Sequence, residues 1–309
     1  MQIQKTKVSI GVPIYNEENT LNKTLNSIIN SAKQLPNPYE VIICFNGTTD
    51  RSKKIAEKFK YLYFPDLKII ESEKSKTKAL VNIIKKCEGD YLIMCDGDVI
   101  VKPDSFLNLL NSFTDPKIIA VTGCPTPYPL KGKLYNILNA RMLYPKSEIA
   151  KNSIKGKTDK PFIHGRIYAL KKEFFSDELI LKKLSKSIGD DTFLSHFILK
   201  KYGRDSLNKE YSAIVRYLPV QSLKSWWHKW SRIWYDLERL YKDNPDFSNL
   251  KVLMQTKINW KFVFSHKVPI PFYFIIERGI HYIGKFYFKL TKDKNRHWIR
   301  LEDTKKVIS

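Results

Sequence analysis

Tyr91-Leu-Ile-Met-Cys-Asp-Gly-Asp98 decides how this chain is read. The apolar run 91–95 reads as a buried strand, and it delivers two carboxylates to its carboxyl end. Ligands of open α/β sheets bind beyond that end of the strands. Two carboxylates one residue apart at a turn suit a hard divalent cation, which bridges phosphate oxygens and neutralises a departing diphosphate.

The sequence around this segment alternates β-branched runs with helical stretches. Strands are expected at 8–14, 40–45, 67–71 and 91–95, and helices at 17–34, 50–60 and 75–86. A helix opening at Pro103 and a strand at 118–123 continue the rhythm. Buried strands alternating with helices predict a Rossmann-like, mostly parallel central sheet flanked by helices. Residues 125–160, rich in Pro, Lys and Ser, read as an insertion with a helix near 135–141. A strand follows at 162–170. A helix then enters at Gly189, where Asp190, Asp191 and Thr192 offer acceptors to the free amides. Over 225–241 the positions Trp226, Trp230, Ile233, Trp234, Leu237, Leu240 and Tyr241 form one aromatic helical face. A second aromatic segment, 272–290, carries Arg278, Lys285 and Lys289 between its rings.

The 309 residues allow one α/β domain with a helical extension and a sizeable core. Of the net charge of +23, residues 151–309 carry +17, from 33 basic and 16 acidic side chains. Such an excess favours an anionic partner: nucleic acid, lipid headgroups or a diphosphate. Cys44, Cys87, Cys95 and Cys124 form no Cys-x-x-Cys pair and fit a reducing cytosol. The polar start has no signal-peptide h-region, and 18 consecutive apolar residues occur nowhere; 269–276 comes nearest before Glu277 and Arg278 interrupt it. A cytoplasmic protein at the inner face of the cell membrane is expected. Neither a Gly-x-x-x-x-Gly-Lys phosphate loop nor a Gly-x-Gly-x-x-Gly fingerprint is present, which argues against an ATPase and a nicotinamide enzyme.

Four motifs stand in order: Val8-Ser-Ile-Gly-Val-Pro-Ile-Tyr-Asn-Glu-Glu18, Glu40-Val-Ile-Ile-Cys-Phe-Asn-Gly-Thr-Thr-Asp50, residues 76–82, and Gly89-Asp-Tyr-Leu-Ile-Met-Cys-Asp-Gly-Asp98. Together they resemble the family 2 glycosyltransferases, which have the GT-A fold, over about residues 6–240. The resemblance implies an inverting, non-processive transfer from a nucleotide diphosphate sugar to a hydroxyl of a glycan or lipid-linked acceptor, with Mn2+ or Mg2+. A UDP-sugar is favoured over a GDP-sugar. Phe45 stands where many relatives have an Asp, which removes a polar contact to the base. Pro13, Tyr15 and Glu17 match the nucleotide-base pocket, Asn46 and Lys76 belong with the donor site, and Asp96 and Asp98 match the diphosphate and metal motif, with Asp98 the direct ligand. His164 and Gly165 fall on the acceptor strand. Asp191 matches the catalytic base, beside Asp190. Arg232, in a loose match to the Gln-x-x-Arg-Trp motif of processive relatives, could steady the leaving diphosphate.

The implied organisation is a GT-A catalytic domain over 1–222, nucleotide-binding to about 124 and acceptor-side from about 125. A helical, aromatic and basic extension, 223–309, is expected to meet an anionic membrane surface. Nucleic acid is not an expected partner. The competing reading is a basic nucleic-acid- or membrane-binding protein on a catalytically inactive scaffold, which leaves Asp96, Asp98 and Asp191 without a purpose.

Overall fold

The computed structural model describes residues 6–128, 130–139, 162–250, 264 and 270–291. Its strands are β1 (Val8–Ile14), β2 (Tyr39–Asn46), β3 (Lys68–Ser72), β4 (Tyr91–Cys95), β5 (Val99–Val101), β6 (Ala120–Pro127), β7 (Ile167–Lys171) and β8 (Leu207–Tyr217). The described helices are α1 (Leu21–Ala32), α2 (Ser52–Tyr63), α3 (Lys76–Lys86), α4 (Ser105–Asn111), α5 (Lys133–Leu138), α6 (Lys172–Phe175), α7 (Glu178–Lys186), α8 (Asp190–Tyr202), α9 (Leu223–Asp243) and α10 (Ile270–Thr291).

The strands form one sheet in the order β3-β2-β1-β4-β7-β6-β8-β5. β1, β2, β3 and β4 pair in parallel, whereas β7 runs antiparallel to both β4 and β6. The sheet is therefore mixed. β1 and β4 are buried along their whole length and β2 along all but its first residue, which is why these segments read as unbroken apolar runs.

Two strands escape a periodicity argument. β5 is three residues long, and β8 opens on Leu207-Asn-Lys-Glu-Tyr-Ser212, a polar run whose burial alternates only towards its end. The strand expected at 162–170 begins only at Ile167, because Ile163 donates to Ser195 Oγ and Gly165 to Asp191 Oδ2, both on α8. These bonds hold 163–165 out of the sheet, before a turn at 165–166.

The chain divides into two compact units, 1–125 with 161–216 and 307–309, and 126–160 with 217–306. The sheet belongs to the first. In the second, Leu138 of α5 packs with Val220 and Trp226, and Asn139 Nδ2 donates to the carbonyl of Val220 at 2.9 Å. Leu138 and Asn139, from the stretch read as an insertion, thus share a core with Val220 and α9, a pairing that no local sequence pattern announces; residues 140–160 of that stretch lie outside the described residues.

A polar clamp fastens the amino ends of the parallel strands. Ser9 Oγ donates to Glu40 Oε1 at 2.5 Å and accepts from Gly89 N at 2.9 Å. Glu40, 5% exposed, also accepts from Glu88 N and from Lys68 Nζ, and Lys7 and Lys68 both reach Glu88. Burial would raise the Glu40 carboxyl, but Lys68, Ser9 and the Glu88 amide outweigh it and hold it below its ordinary value. Lys68 and Lys7 lower Glu88 to about 2.

Carboxylates depressed in the folded chain lend stability above their unfolded value and lose it as pH falls through the folded one. Acid unfolding of the wild type should therefore steepen between pH 4.5 and about 2. Glu40→Gln should cost on the order of 2–3 kcal/mol at pH 7, because it leaves Lys68 facing a neutral group, and less at pH 3. Urea denaturation of both proteins at the two pH values measures the difference; equal losses would mean that the clamp works by packing alone.

Candidate active site

The site assembles at the carboxyl ends of β1, β2 and β4, against the turn before β7 and the start of α8. Asn16, at the end of β1, takes a positive φ of 54°, which Asn tolerates better than most residues. Its Oδ1 accepts from Thr49 N at 2.8 Å, while Glu17 N donates to Ser52 Oγ and Glu18 N to Asp50 Oδ2. The loop bearing Tyr15 and Glu17 is thus laced to the loop after Asn46. Pro13 and Glu17 are buried, Asn46 is 5% exposed, and Lys74 Nζ stands 5.0 Å from the centre of the half-buried Tyr15 ring.

Asp96, Gly97 and Asp98 follow β4 directly. A Cβ on Gly97 would come within 2.5 Å of Ile14 Cδ1 and 3.5 Å of Glu17 Cγ, so glycine lets the two acids turn closely past the end of β1. The amide of Asp96 donates to the carbonyl of Arg166 at 3.2 Å, which registers this turn against the one before β7.

Lys76 joins the turn after β4 to the start of α8. Ser75 caps α3, with its Oγ accepting from Lys78 N, and Lys76 is the first residue of that helix. Thr77 Oγ1 donates to the carbonyl of Ser187 at 2.9 Å and so sets α3 against the entry to α8. From this position Lys76 Nζ lies 2.8 Å from Asp96 Oδ1 and 3.3 Å from Asp190 Oδ2. Gly165 closes the group: its amide donates to Asp191 Oδ2, and a Cβ there would stand 3.1 Å from that oxygen and 3.3 Å from Lys76 Nζ.

Burial opposes the charge of Lys76, yet Asp190, Asp96 and Asp191 outweigh it and hold the ammonium well above its ordinary value. The acids respond differently. Burial raises Asp96, Lys76 lowers it, and the charges of Asp98 and Asp190 raise it again, leaving it above the usual carboxylate range. Asp190 is raised likewise, by burial and then by Asp191 against the pull of Lys76. Negative charge remains in excess even beside the ammonium. Asp96 and Asp98 at this partly exposed turn therefore fit a divalent cation, with phosphate oxygens completing its shell; among the described residues no cluster of three His, Cys, Asp or Glu forms a closed protein cage.

Asp190 and Asp191 are not equivalent. Asp190 is 5% exposed and held by Lys76, whereas Asp191 is half-buried and oriented by donors from Gly165 N at 3.1 Å and Thr192 N at 2.8 Å. His164 lies beside them, its amide donating to Thr122 Oγ1. Arg232 belongs to the second unit, on α9, and is half-buried there.

Sequence reasoning missed Tyr168. Its ring, on β7, is fully buried, and burial followed by the charges of Asp190, Asp191 and Asp96 drives its hydroxyl well above the ordinary tyrosine value. An apolar strand buried on both faces gives no sign that this ring lies near the carboxylates.

Lys76→Met should destabilise the ligand-free protein by roughly 2–3 kcal/mol at pH 7, below the ~3–5 kcal/mol of a fully buried broken pair because Lys76 is a quarter exposed. The loss should shrink towards pH 4. Asp96 and Asp190 have raised folded values, so their unfavourable contribution grows as pH rises from the unfolded aspartate value through the folded one. Thermal melts across that range report it, and a loss independent of pH would show that Lys76 contributes packing only.

The sequence model of Glycosyl transferase family 2 matches residues 9–179. An undecaprenyl-phosphate 4-deoxy-4-formamido-L-arabinose transferase from Proteus mirabilis is 30% identical over 106 residues, 34% of this chain and 32% of the relative. A poly-beta-1,6-N-acetyl-D-glucosamine synthase from Staphylococcus epidermidis is 31% identical over 121 residues, 38% of this chain and 28% of the relative. The chain thus spans about a third or less of the length of these relatives. Among solved structures, the mannosyltransferase PcManGT from Pyrobaculum calidifontis, in complex with GDP-Man and Mn2+, aligns with a TM-score of 0.54 and 18% identity over 89% of this chain and 74% of that one. At that identity the likeness is one of fold, and the fold is GT-A.

Proposed function

The chain belongs to glycosyl transferase family 2 and is a glycosyltransferase, and from that premise we propose that it carries out an inverting, metal-dependent, non-processive transfer. The sugar comes from a nucleotide diphosphate donor and goes to a hydroxyl of a glycan or lipid-linked acceptor. The observation that carries this reading is the single ammonium of Lys76 in contact with both Asp96, on the donor side, and Asp190, beside Asp191.

Pro13, Tyr15, Glu17 and Asn46 receive the nucleotide, whose diphosphate lies over the turn of Asp96 and Asp98 beside Lys76. Asp98, with Asp96, would hold a Mn2+ or Mg2+ ion, which would supply positive charge to the diphosphate oxygens. Asp191, aimed by its two backbone donors, takes the proton of the acceptor hydroxyl. The acceptor oxygen bonds to the anomeric carbon from the face opposite the diphosphate, and the pair of the breaking C–O bond leaves with the diphosphate. Asp190 is held in its ion pair with Lys76, which leaves the proton transfer to Asp191. His164 and Gly165 line the acceptor side. A uridine donor comes first, as the resemblance to the family implies, and a guanosine donor second, a place supported by the buried Phe45, whose side chain offers the base no polar atom, and by the GDP-Man held by PcManGT. The undecaprenyl-phosphate acceptor named for the Proteus relative supports a lipid-linked acceptor, met at the inner face of the cell membrane.

Asp98→Asn should abolish most turnover without unfolding the protein, and chelation should do the same to the wild type; full activity in chelator would remove the metal from this account. Asp191→Asn should leave donor affinity nearly intact while slowing transfer about a hundredfold or more, as expected for loss of a general base. Calorimetric titration with a panel of uridine, guanosine and thymidine sugar nucleotides in Mn2+, followed by transfer rates, separates these effects. Donor affinity falling in step with rate would give Asp191 a binding role instead.

A further inference from the structure

The second unit holds 26 Lys and Arg against 10 Asp and Glu, so +16 of the net +23 belongs to it. Its two long helices divide their faces sharply. The tryptophan face of α9 is covered: Trp226 is 1% exposed and Trp234 8%, and a Cβ on Gly284 of α10 would come within 2.7 Å of Trp227 and 2.8 Å of Trp234. His281 of α10 stacks edge-on to Trp230 and Trp234, with ring centres 4.5 and 5.3 Å away. The aromatic stripe of α9, expected at a membrane, is therefore core.

The other side of α10 is bare. Phe272 is 57% exposed, Ile275 50%, Tyr282 64%, Ile283 71% and Phe286 65%. At 100° per residue these five fall on one stripe, with Gly279 between them, opposite the side that Gly284 and Phe288 bury. Lys285 and Lys289 are exposed along one edge. The helix has a single acidic residue, Glu277, and that is 2% exposed. Among the described residues no helix is long and apolar enough to cross a membrane. An apolar stripe edged by cations, on a helix too polar to span, has the build of one that lies in the headgroup region.

We propose that α10 docks the protein onto an anionic lipid surface, with Phe272, Ile275, Tyr282, Ile283 and Phe286 entering the acyl boundary and Lys285 and Lys289 meeting the headgroups. Charge chooses the occupant. A second copy pairing through the same stripe would bring two units of +16 face to face, whereas anionic lipid is attracted to that charge. The inference extends the reading of a lipid-linked acceptor, yet it is tested without turnover, so either can fail alone.

The test is co-sedimentation of the full chain with phosphatidylcholine vesicles and with vesicles containing a third phosphatidylglycerol, at physiological salt. Binding to the anionic vesicles should exceed binding to the neutral ones at least tenfold. The variant Phe272→Ser/Ile283→Ser/Phe286→Ser, altered only at exposed positions, should lose at least tenfold of that binding while keeping the wild-type Tm and nucleotide-sugar affinity. Lys285→Glu/Lys289→Glu should lose the preference for anionic lipid. Wild-type vesicle binding by the serine variant would overturn the proposal, as would a wild-type dimer that this variant converts to monomer. So would salt-sensitive binding to single-stranded RNA that outcompetes the vesicles.

Discussion

One ammonium sets the terms for the catalytic unit. Lys76 sits at the first turn of α3, where the helix dipole disfavours a cation, and it is drawn inward because three carboxylates lie around its tip. One local cap and two long-range contacts position it: Ser75 caps its helix, Thr77 ties that helix to Ser187, and Gly165 leaves room for its Nζ beside Asp191. The turn after β4 and helix α8 are distant in sequence and have no strand pairing with each other. The shared cation, with the turn before β7 hydrogen-bonded to both, makes them one site.

The arrangement also bears on whether the scaffold is a working enzyme or an inert platform. Asp96 and Asp190 are raised above the usual carboxylate range by burial that Lys76 only partly offsets. In the ligand-free protein at neutral pH this is a standing loss of stability, and groups held at such a loss mark sites with a task. A binding module working only through surface cations has no use for buried carboxylates crowded around a lysine. A divalent cation brought to this site would meet the excess negative charge.

Much of this was legible in the sequence, and what was not shares a cause. Asp96, Asp98, Asp190 and Asp191 announce themselves because each pair sits where an apolar or helical pattern begins or ends. Lys76 was placed with the donor site by resemblance, but its bridging contacts were hidden, since no local pattern says that α3 meets α8. Tyr168 was hidden because the first five residues of the expected strand lie outside β7, where bonds to Ser195 and Asp191 hold 163 and 165 against α8. The tryptophans of α9 showed a helical period clearly, but period reveals an apolar face without saying whether protein or lipid covers it. Here α10 covers it, and the face that remains open belongs to α10.

The two ends of the parallel strands show how the fold carries its unstable site. At the amino ends, Ser9, Glu40 and the amides of Glu88 and Gly89 form a clamp in which the acids are matched by Lys7 and Lys68. At the carboxyl ends of the same strands the carboxylates crowd one lysine. β1, β2 and β4 run between these ends, and their interiors are apolar and buried. A satisfied polar network fixes strand register, since slipping β1 against β2 by one residue would part Ser9 from Glu40 and turn every side chain of β1 over. With register set at one end, the loops at the other can hold Asn16 in a left-handed conformation and two acids above their ordinary range without the sheet yielding. The clamp never touches substrate, yet it is what lets Asp96 and Asp98 keep their place.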